Sequence, residues 1–344
     1  MKYLSLILLT FTLCSFGLRP ESKEQVVIDR IEYIYNLKSF IDIEIWKGFA
    51  DSKFDLPFIY YTGTSCYITN PTSKFIHIFK PHEISENKDL KVYKTPLIDS
   101  IPFHMSTGII LGDSSADYNY RFPFMHASSF EITRNTIQDV NSTELWATMI
   151  IHEYFHGFQY KHPAYLDYFE KNVVSIREDS LKNIYKSNSW FKESIDNENN
   201  TLLSAIRSTK NDEIKQLIVT FFQLRDQRRL LTTQRLNFDI KIPEEAYETM
   251  EGTARYVEYK LYYKFAVIHP DNQLAKSDSS YHSYDSFKNY KIENDQWLYL
   301  TNKTTYFYAT GFNMARLLDK LKIEYKSRLF NESGLSLEQL LKTY

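Results

Sequence analysis

The chain has 344 residues, of which 43% are hydrophobic and 24% are charged, a composition typical of a folded globular protein. With 27 Tyr and 24 Phe against 9 Gly, it is too rich in bulky side chains to be a disordered or low-complexity protein. The formal net charge of −2 gives no overall field that would attract nucleic acid or an anionic membrane, so we expect neither as a partner.

Residues 1–17, MKYLSLILLTFTLCSFG, have the pattern of a secretory signal peptide. Lys2 precedes an uncharged apolar run, and Ser15 and Gly17 suit the −3 and −1 positions of a cleavage site. The run is shorter than the about 20 residues that a membrane-spanning helix needs, so we expect no stable span after cleavage. Cys14 would also allow lipoprotein anchoring, but the bulky residue before it argues against that alternative. We therefore predict a secreted or periplasmic, extracytoplasmic protein.

Residues 18–140 are predicted to form an N-terminal helix followed by a β-rich part that includes the active-site sheet. Apolar residues recur at three- and four-residue spacing over residues 18–45, which predicts the helix. Short β-branched and aromatic runs then predict strands, among them LPFIYYTG, CYITN, KFIHIFK and TGIILGD. Cys66 would be the one cysteine left after signal cleavage, so we predict no intrachain disulfide and a buried thiol.

Residues 141–344 are predicted to be mainly helical and to pack with the β-rich part as one unit. Asn141 with Glu144 three residues later resembles a capping box and predicts the start of a helix. Long helical patterns follow, and their arginines are predicted to lie on a solvated helix face. These arginines are Arg225, Arg228, Arg229 and Arg235.

The stretch TMIIHEYFHGFQY, residues 148–160, carries two histidines separated by three residues, with a glutamate directly after the first. On a helix, His152 and His156 lie on one face and can bind the same metal ion. Zinc accepts imidazole nitrogens and takes three protein ligands in a catalytic site. Glu153 is then placed to accept a proton from the attacking water, which is the logic of the His-Glu-x-x-His motif. The alternative is an aromatic core helix that carries two histidines by chance.

Two later segments make the chain resemble gluzincins, the zinc metallopeptidases whose third ligand is a glutamate on a later helix. EGTARYVEY, residues 251–259, is similar to the pattern around that ligand in the aminopeptidase-like gluzincins. YATGFNMARLL, residues 308–318, is similar to the Tyr-x-x-Gly segment that supplies an oxyanion-stabilising tyrosine in that family. The resemblance implies that Glu251 is the third ligand of a Zn²⁺ cofactor and that Tyr308 is the oxyanion donor. It also makes Glu258 a candidate for orienting a ligand histidine.

The resemblance implies an α+β fold of the zincin (thermolysin-like) type, with a β-rich N-terminal half and a mainly helical C-terminal half. The family has a short spacer between the second histidine and the third ligand, whereas this chain has residues 157–250 there. A helical insertion at about residues 165–240 would account for the difference. The family's Gly-Ala-Met-Glu-Asn strand is absent, so aminopeptidase specificity is not implied. HASSFEITRN, residues 126–135, lies where an edge strand beside the cleft is expected.

These observations lead to the hypothesis of a secreted zinc metallopeptidase that acts on a peptide or protein substrate. The alternative is a secreted zinc-site protein with a non-catalytic binding role, for which the many aromatic side chains would supply a surface. Glu153 separates the two hypotheses, because a protein that only binds has no need of a general base.

Overall fold

The structure, a computed structural model, describes residues 23–87, 90–111 and 120–344. The predicted signal peptide at residues 1–17, with Cys14, lies outside the described residues. Within the described ranges, no helix combines the length and the apolar character needed to cross a membrane.

The described residues form a mixed α+β protein in which the strands precede most of the helices. Helix α1 (Lys23–Glu44) is followed by strands β1 (Phe58–Tyr61) and β2 (Ser65–Thr69), helix α2 (Ser73–Phe79), and strands β3 (His82–Asn87), β4 (Leu90–Pro96), β5 (Met105–Leu111) and β6 (Tyr120–Ser128). The larger helices that follow are α3 (Phe130–Thr136), α4 (Thr143–Tyr160), α5 (Pro163–Asn172), α6 (Glu178–Ser187), α7 (Ser189–Arg207), α8 (Asn211–Leu236) and α9 (Lys241–Phe265). The chain ends with α10 (Leu274–Ser277), α11 (Gln296–Tyr299), α12 (Tyr306–Lys320) and α13 (Leu337–Leu341).

The segment KFIHIFK was predicted as a strand, and this prediction is wrong because it lies in helix α2. The side-chain oxygen of Thr72 caps this helix by accepting a hydrogen bond from the backbone N–H of Phe75 at 3.2 Å. Phe75 is the one buried residue of the helix. A single apolar anchor and an N-cap therefore outweigh the strand preference of the β-branched and aromatic residues.

The six strands form one sheet in the order β3-β4-β2-β1-β6-β5. Strands β1 and β6 run parallel, and the other neighbours run antiparallel. The edge strand predicted at residues 126–135 is therefore wrong: residues 126–128 end β6, which is paired on both sides. The chain then turns into α3, whose N-cap Ser129 accepts from the backbone N–H of Ile132. The edge strand on this side of the sheet is β5.

The two faces of the sheet are buried in two separate apolar clusters. Phe58 and Tyr60 of β1 face the main core, which also contains residues of α1, α4, α9 and α12. Ile59 and Tyr61 face a smaller cluster beneath α2, together with the fully buried Cys66. The alternation follows from the two-residue period of a strand. Helix α4 therefore lies against the main-core face of the sheet.

The arginines of α8 do not form the predicted solvated face. Arg225, Arg228 and Arg229 are buried, and only Arg235 of the four is exposed. Arg225 donates to both carboxylate oxygens of Glu248 on α9, at 2.7 Å each. The other carboxylates that these buried arginines contact are those of Glu198, Glu244, Glu245 and Glu338. The prediction is wrong because the acidic partners come from α7, α9 and α13, which sequence spacing along α8 does not reveal.

Candidate metal centre

Helix α4 carries both histidines and begins one residue later than predicted. Ser142, rather than Asn141, is the N-cap, and its side-chain oxygen accepts from the backbone N–H of Leu145 at 3.3 Å. Glu144 does not complete a capping box, because its Oε1 instead accepts from the backbone N–H of His282 at 2.8 Å. Glu144 thus ties the start of α4 to the segment that follows α10.

Helices α4 and α9 pack together and bring Glu251 to the two histidines. Its Oε2 lies 3.4 Å from Nε2 of His152 and 3.3 Å from Nε2 of His156. None of the three side chains is more than 12% exposed. The three residues named as candidate ligands therefore point their ligand atoms at one place.

The two distances from Oε2 of Glu251 to the histidine nitrogens are compatible with a shared metal ion as well as with ion pairs. A tetrahedral zinc site with bonds of about 2.0–2.1 Å has its ligand atoms about 3.3–3.4 Å apart. A charge-assisted hydrogen bond between imidazole and carboxylate would draw the atoms to about 2.7–2.9 Å. Two imidazole nitrogens and one carboxylate oxygen are also a donor set that leaves a fourth zinc position open. The residues present therefore fit Zn²⁺.

Each histidine is oriented through its other ring nitrogen, as metal-binding histidines usually are. Nδ1 of His152 lies 3.5 Å from Oε2 of Glu258, the carboxylate proposed for this role from the sequence. Nδ1 of His156 lies 3.0 Å from Oε1 of Gln159, whose Nε2 donates to the backbone oxygen of Met250 at 2.9 Å. Both contacts leave the Nε2 atoms directed at Glu251.

Buried opposite charges shift the pKa values of these groups strongly. Burial lowers the pKa of His152, but the contacts with Glu251 and Glu258 outweigh it and raise the pKa to about 10. Burial alone would raise the pKa of Glu251, but the neighbouring His156 and His152 hold that pKa well below its ordinary range. The carboxylate of Glu251 is therefore ionised across the physiological range, as a metal ligand requires, whereas His152 is protonated and would have to release its proton when a metal binds.

Glu153 lies beside the ligands but is held by the sheet. A carboxylate oxygen of Glu153 and ligand nitrogens of both histidines all lie within 4.8 Å of one another. Its Oε2, however, accepts a hydrogen bond from the backbone N–H of Thr107 on edge strand β5, at 3.1 Å. The Thr107 hydroxyl also donates to the backbone oxygen of Glu153. Of the two carboxylates, Glu251 is the better candidate for the third ligand, because its Oε2 is close to both Nε2 atoms, whereas Glu153 is tied to β5.

Tyr308 faces the centre from α12, which crosses α9 at a pair of glycines. Its ring is stacked on that of His152 with centroids 6.1 Å apart. A Cβ on Gly252 would come within 2.3 Å of the backbone of Gly311, and a Cβ on Gly311 would come within 2.0 Å of the backbone oxygen of Glu248. The crossing can therefore be this close only because both positions lack a side chain.

We expect Gly311→Ala to destabilise the protein by about 3 kcal/mol, because the added methyl group overpacks the crossing and forces α12 away from α9. Zinc affinity should fall as well, since Tyr308 and Glu251 lie within one turn of the contact. Urea unfolding and zinc titration measure the two effects. Gly63→Ala is the matched control, because nothing lies within 4 Å of its added Cβ. If Gly311→Ala unfolded at the same urea concentration as the wild type, this result would contradict the described crossing of α9 and α12.

The centre opens into a cleft with a volume of about 610 Å³. His152, Glu153 and Tyr308 line one part of it. Further side chains that line it are Met105 of β5, Met149, Arg255, Glu258 and Trp297. A substrate in this cleft would therefore contact His152, the candidate base Glu153 and edge strand β5 together.

All six residues named from the sequence lie at this centre: His152, Glu153, His156, Glu251, Glu258 and Tyr308.

Two residues that contact the centre, Gln159 and Thr107, were not predicted from the sequence. Gln159 follows His156 by three residues, so helix spacing could have suggested it. Thr107 is distant in sequence and reaches the Glu153 carboxylate through its backbone N–H, so nothing in its identity indicates that contact. His104 and His126, with ring centroids 4.6 Å apart, pack around Tyr61 instead.

The fold and the centre define a mixed α+β protein with a buried candidate metal site of two histidines and one glutamate. Comparisons of the chain with known family models, with curated proteins and with solved structures found no match.

Proposed function

We propose that the protein is a secreted zinc-dependent metallopeptidase of the gluzincin type. The observation that carries the proposal is the convergence of Oε2 of Glu251 on Nε2 of both His152 and His156, at 3.4 and 3.3 Å. A zinc ion held by these residues would polarise a substrate carbonyl and make the attacking water more acidic. The expected signal peptide at residues 1–17 is the basis for proposing an extracytoplasmic location.

Glu153 is proposed as the general base of the reaction. Burial raises the pKa of Glu153, although the nearby histidines act in the opposite direction. A carboxylate with a raised pKa accepts a proton from water more readily and can return it to the leaving amine. The hydrogen bond from the Thr107 N–H fixes the carboxylate against β5. This arrangement favours hydrolysis over the alternative of a non-catalytic zinc protein, which would not need a buried base.

Tyr308 and strand β5 are proposed to hold the substrate. The Tyr308 hydroxyl would donate a hydrogen bond to the developing oxyanion. It stays protonated at neutral pH, because burial first and Glu251 second raise the pKa of Tyr308 far above its usual value. Strand β5 is at the sheet edge beside the cleft, so an extended peptide could pair with its backbone. Met105 at the start of β5 lines the cleft and would contact that peptide.

The metal content of the purified protein tests the centre directly. We expect about one zinc per chain in the wild type, and a loss or sharp weakening of binding in Glu251→Ala because one of three ligands is removed. Glu193→Ala is the control, since Glu193 is an exposed residue on α7, away from the cleft. A wild-type protein that binds no zinc after loading with excess metal would contradict the proposed function.

A further inference from the structure

Arg255 is a buried cation in the cleft that the proposed reaction does not use. It lies one helical turn after Glu251 on α9, lines the cleft and is 9% exposed. Its Nη1 donates to the backbone oxygens of Trp297 and Leu298, at 3.1 and 3.2 Å. Its guanidinium carbon lies 5.3 Å from the ring centroid of Trp297 and 4.7 Å from that of Tyr308. The guanidinium is therefore fixed between two aromatic side chains of the cleft.

Arg255 makes no ion pair with a carboxylate of the described residues, although Glu258 and Glu251 are near enough to favour its charge. Its Nε is buried without a hydrogen-bond partner. The nearby Glu258 instead accepts from the Tyr262 hydroxyl at 2.8 Å and faces His152. Burial lowers the pKa of Arg255 to about 10, so the side chain is still a cation at neutral pH. A buried, unpaired charge is costly, and a bound anion would remove that cost.

From this geometry we infer that Arg255 binds a carboxylate of the substrate and directs cleavage to a peptide bond within about three residues of it. The Nε of the guanidinium makes no hydrogen bond with the described residues, so this edge has donors left for the paired hydrogen bonds that carboxylates accept from arginine. The ring of Tyr308 lies 4.7 Å from the guanidinium carbon and 6.1 Å from the ring of His152, so the guanidinium is at most about 11 Å from that ring. An extended peptide covers about 3.3–3.6 Å per residue, so this distance corresponds to at most about three residues. This inference rests on the proposed function and adds the substrate class to it.

The carboxylate could be the C-terminus of a peptide or an acidic side chain, and the same experiment distinguishes them. The probes are N-acetylated hexapeptides of mixed sequence, prepared once as free acids and once as C-terminal amides, with and without Asp or Glu. Cleavage by the zinc-loaded protein is followed by mass spectrometry. We expect free acids to be cut near their C-termini with a kcat/KM at least about 10-fold above that of the neutral amides. If amides that contain Asp or Glu are cleaved as fast as the free acids, the carboxylate that binds Arg255 is that of an acidic side chain.

The variants separate carboxylate binding from a structural role of Arg255. Arg255→Gln keeps a donor for the backbone oxygens but removes the charge. We therefore expect the ratio of kcat/KM for free acids to kcat/KM for neutral amides to fall to about one. Arg255→Lys keeps the charge without the paired hydrogen bonds and should retain part of the preference. Arg316→Gln is the matched control, because Arg316 also packs on aromatic rings, those of Tyr259 and Phe312, but does not line the cleft. A merely structural Arg255 would lower cleavage of acids and amides alike.

Failure of the inference can be told apart from failure of the proposed function. Equal cleavage of acids and neutral amides by the wild type, or a preference unchanged in Arg255→Gln, would overturn the inference and leave the peptidase proposal standing. If no peptide is cleaved, calorimetry of the zinc-loaded wild type with an N-acetylated dipeptide acid and its amide decides the matter. Tighter binding of the acid, lost in Arg255→Gln, would support the carboxylate site although the peptidase proposal fails. Equal binding would overturn both.

Discussion

Replacing Glu153 by glutamine is expected to lower kcat for peptide hydrolysis by about 10²–10⁴-fold, because the amide cannot accept the proton of the attacking water. Zinc content should stay at the wild-type value, since Glu251 rather than Glu153 approaches both histidine Nε2 atoms. Hydrolysis is measured on a peptide that the wild type cleaves, and zinc is measured by elemental analysis of the same samples.

Two results would contradict different parts of this assignment. Full activity in Glu153→Gln would show that Glu153 is not the base, whatever the metal does. Loss of zinc together with activity would show that Glu153 is a ligand, a role that its position within 4.8 Å of the histidine nitrogens makes worth testing. Glu193→Gln, on the exposed face of α7, provides the control for purification and metal loading.

Replacing Arg225 by methionine is expected to lower the free energy of unfolding by about 3–5 kcal/mol, because buried carboxylates then lose their counter-charge. Arg225 is fully buried and contacts Glu198, Glu248 and Glu338 on three different helices. Urea unfolding followed by circular dichroism measures the change. Zinc affinity should fall too, because Glu248 lies one turn before Glu251 on α9.

The matched control for this variant is Arg328→Met. Arg328 also pairs with a glutamate, Glu332, but both side chains are about half exposed. Solvent screens such a pair, so we expect little change in stability. If Arg225→Met unfolded at the same urea concentration as Arg328→Met, the buried charge cluster would not hold the helices together as described.

The candidate site could be predicted because most of its information is local. Four-residue spacing puts His152 and His156 on one helix face, and seven-residue spacing puts Glu251 and Glu258 on another. The choice of Glu251 as the third ligand and the pairing of the two helices needed more than spacing, and there the resemblance to gluzincin motifs supplied the link. Tyr308 came from the same resemblance, while the glycine that brings its helix close, Gly311, is visible in the quoted segment.

The features that could not be predicted depend on partners distant in the chain. The arginines of α8 have the spacing of an exposed face, and the carboxylates that pair with them come from helices α7, α9 and α13. The edge strand was assigned to residues 126–135 because local residue preferences do not reveal the order of strands in a sheet. The contact of Thr107 with Glu153 depends on that order, so it was missed for the same reason.

The separation of the third ligand from the histidines has a consequence for how the protein matures. Residues 157–250 must be synthesised before Glu251 can reach α4. A growing chain that ends before α9 therefore lacks the carboxylate proposed as the third ligand of a catalytic zinc site. Under the proposed function, three-ligand metal binding would follow the synthesis of α9, and the chain would stay inert towards its neighbours until then.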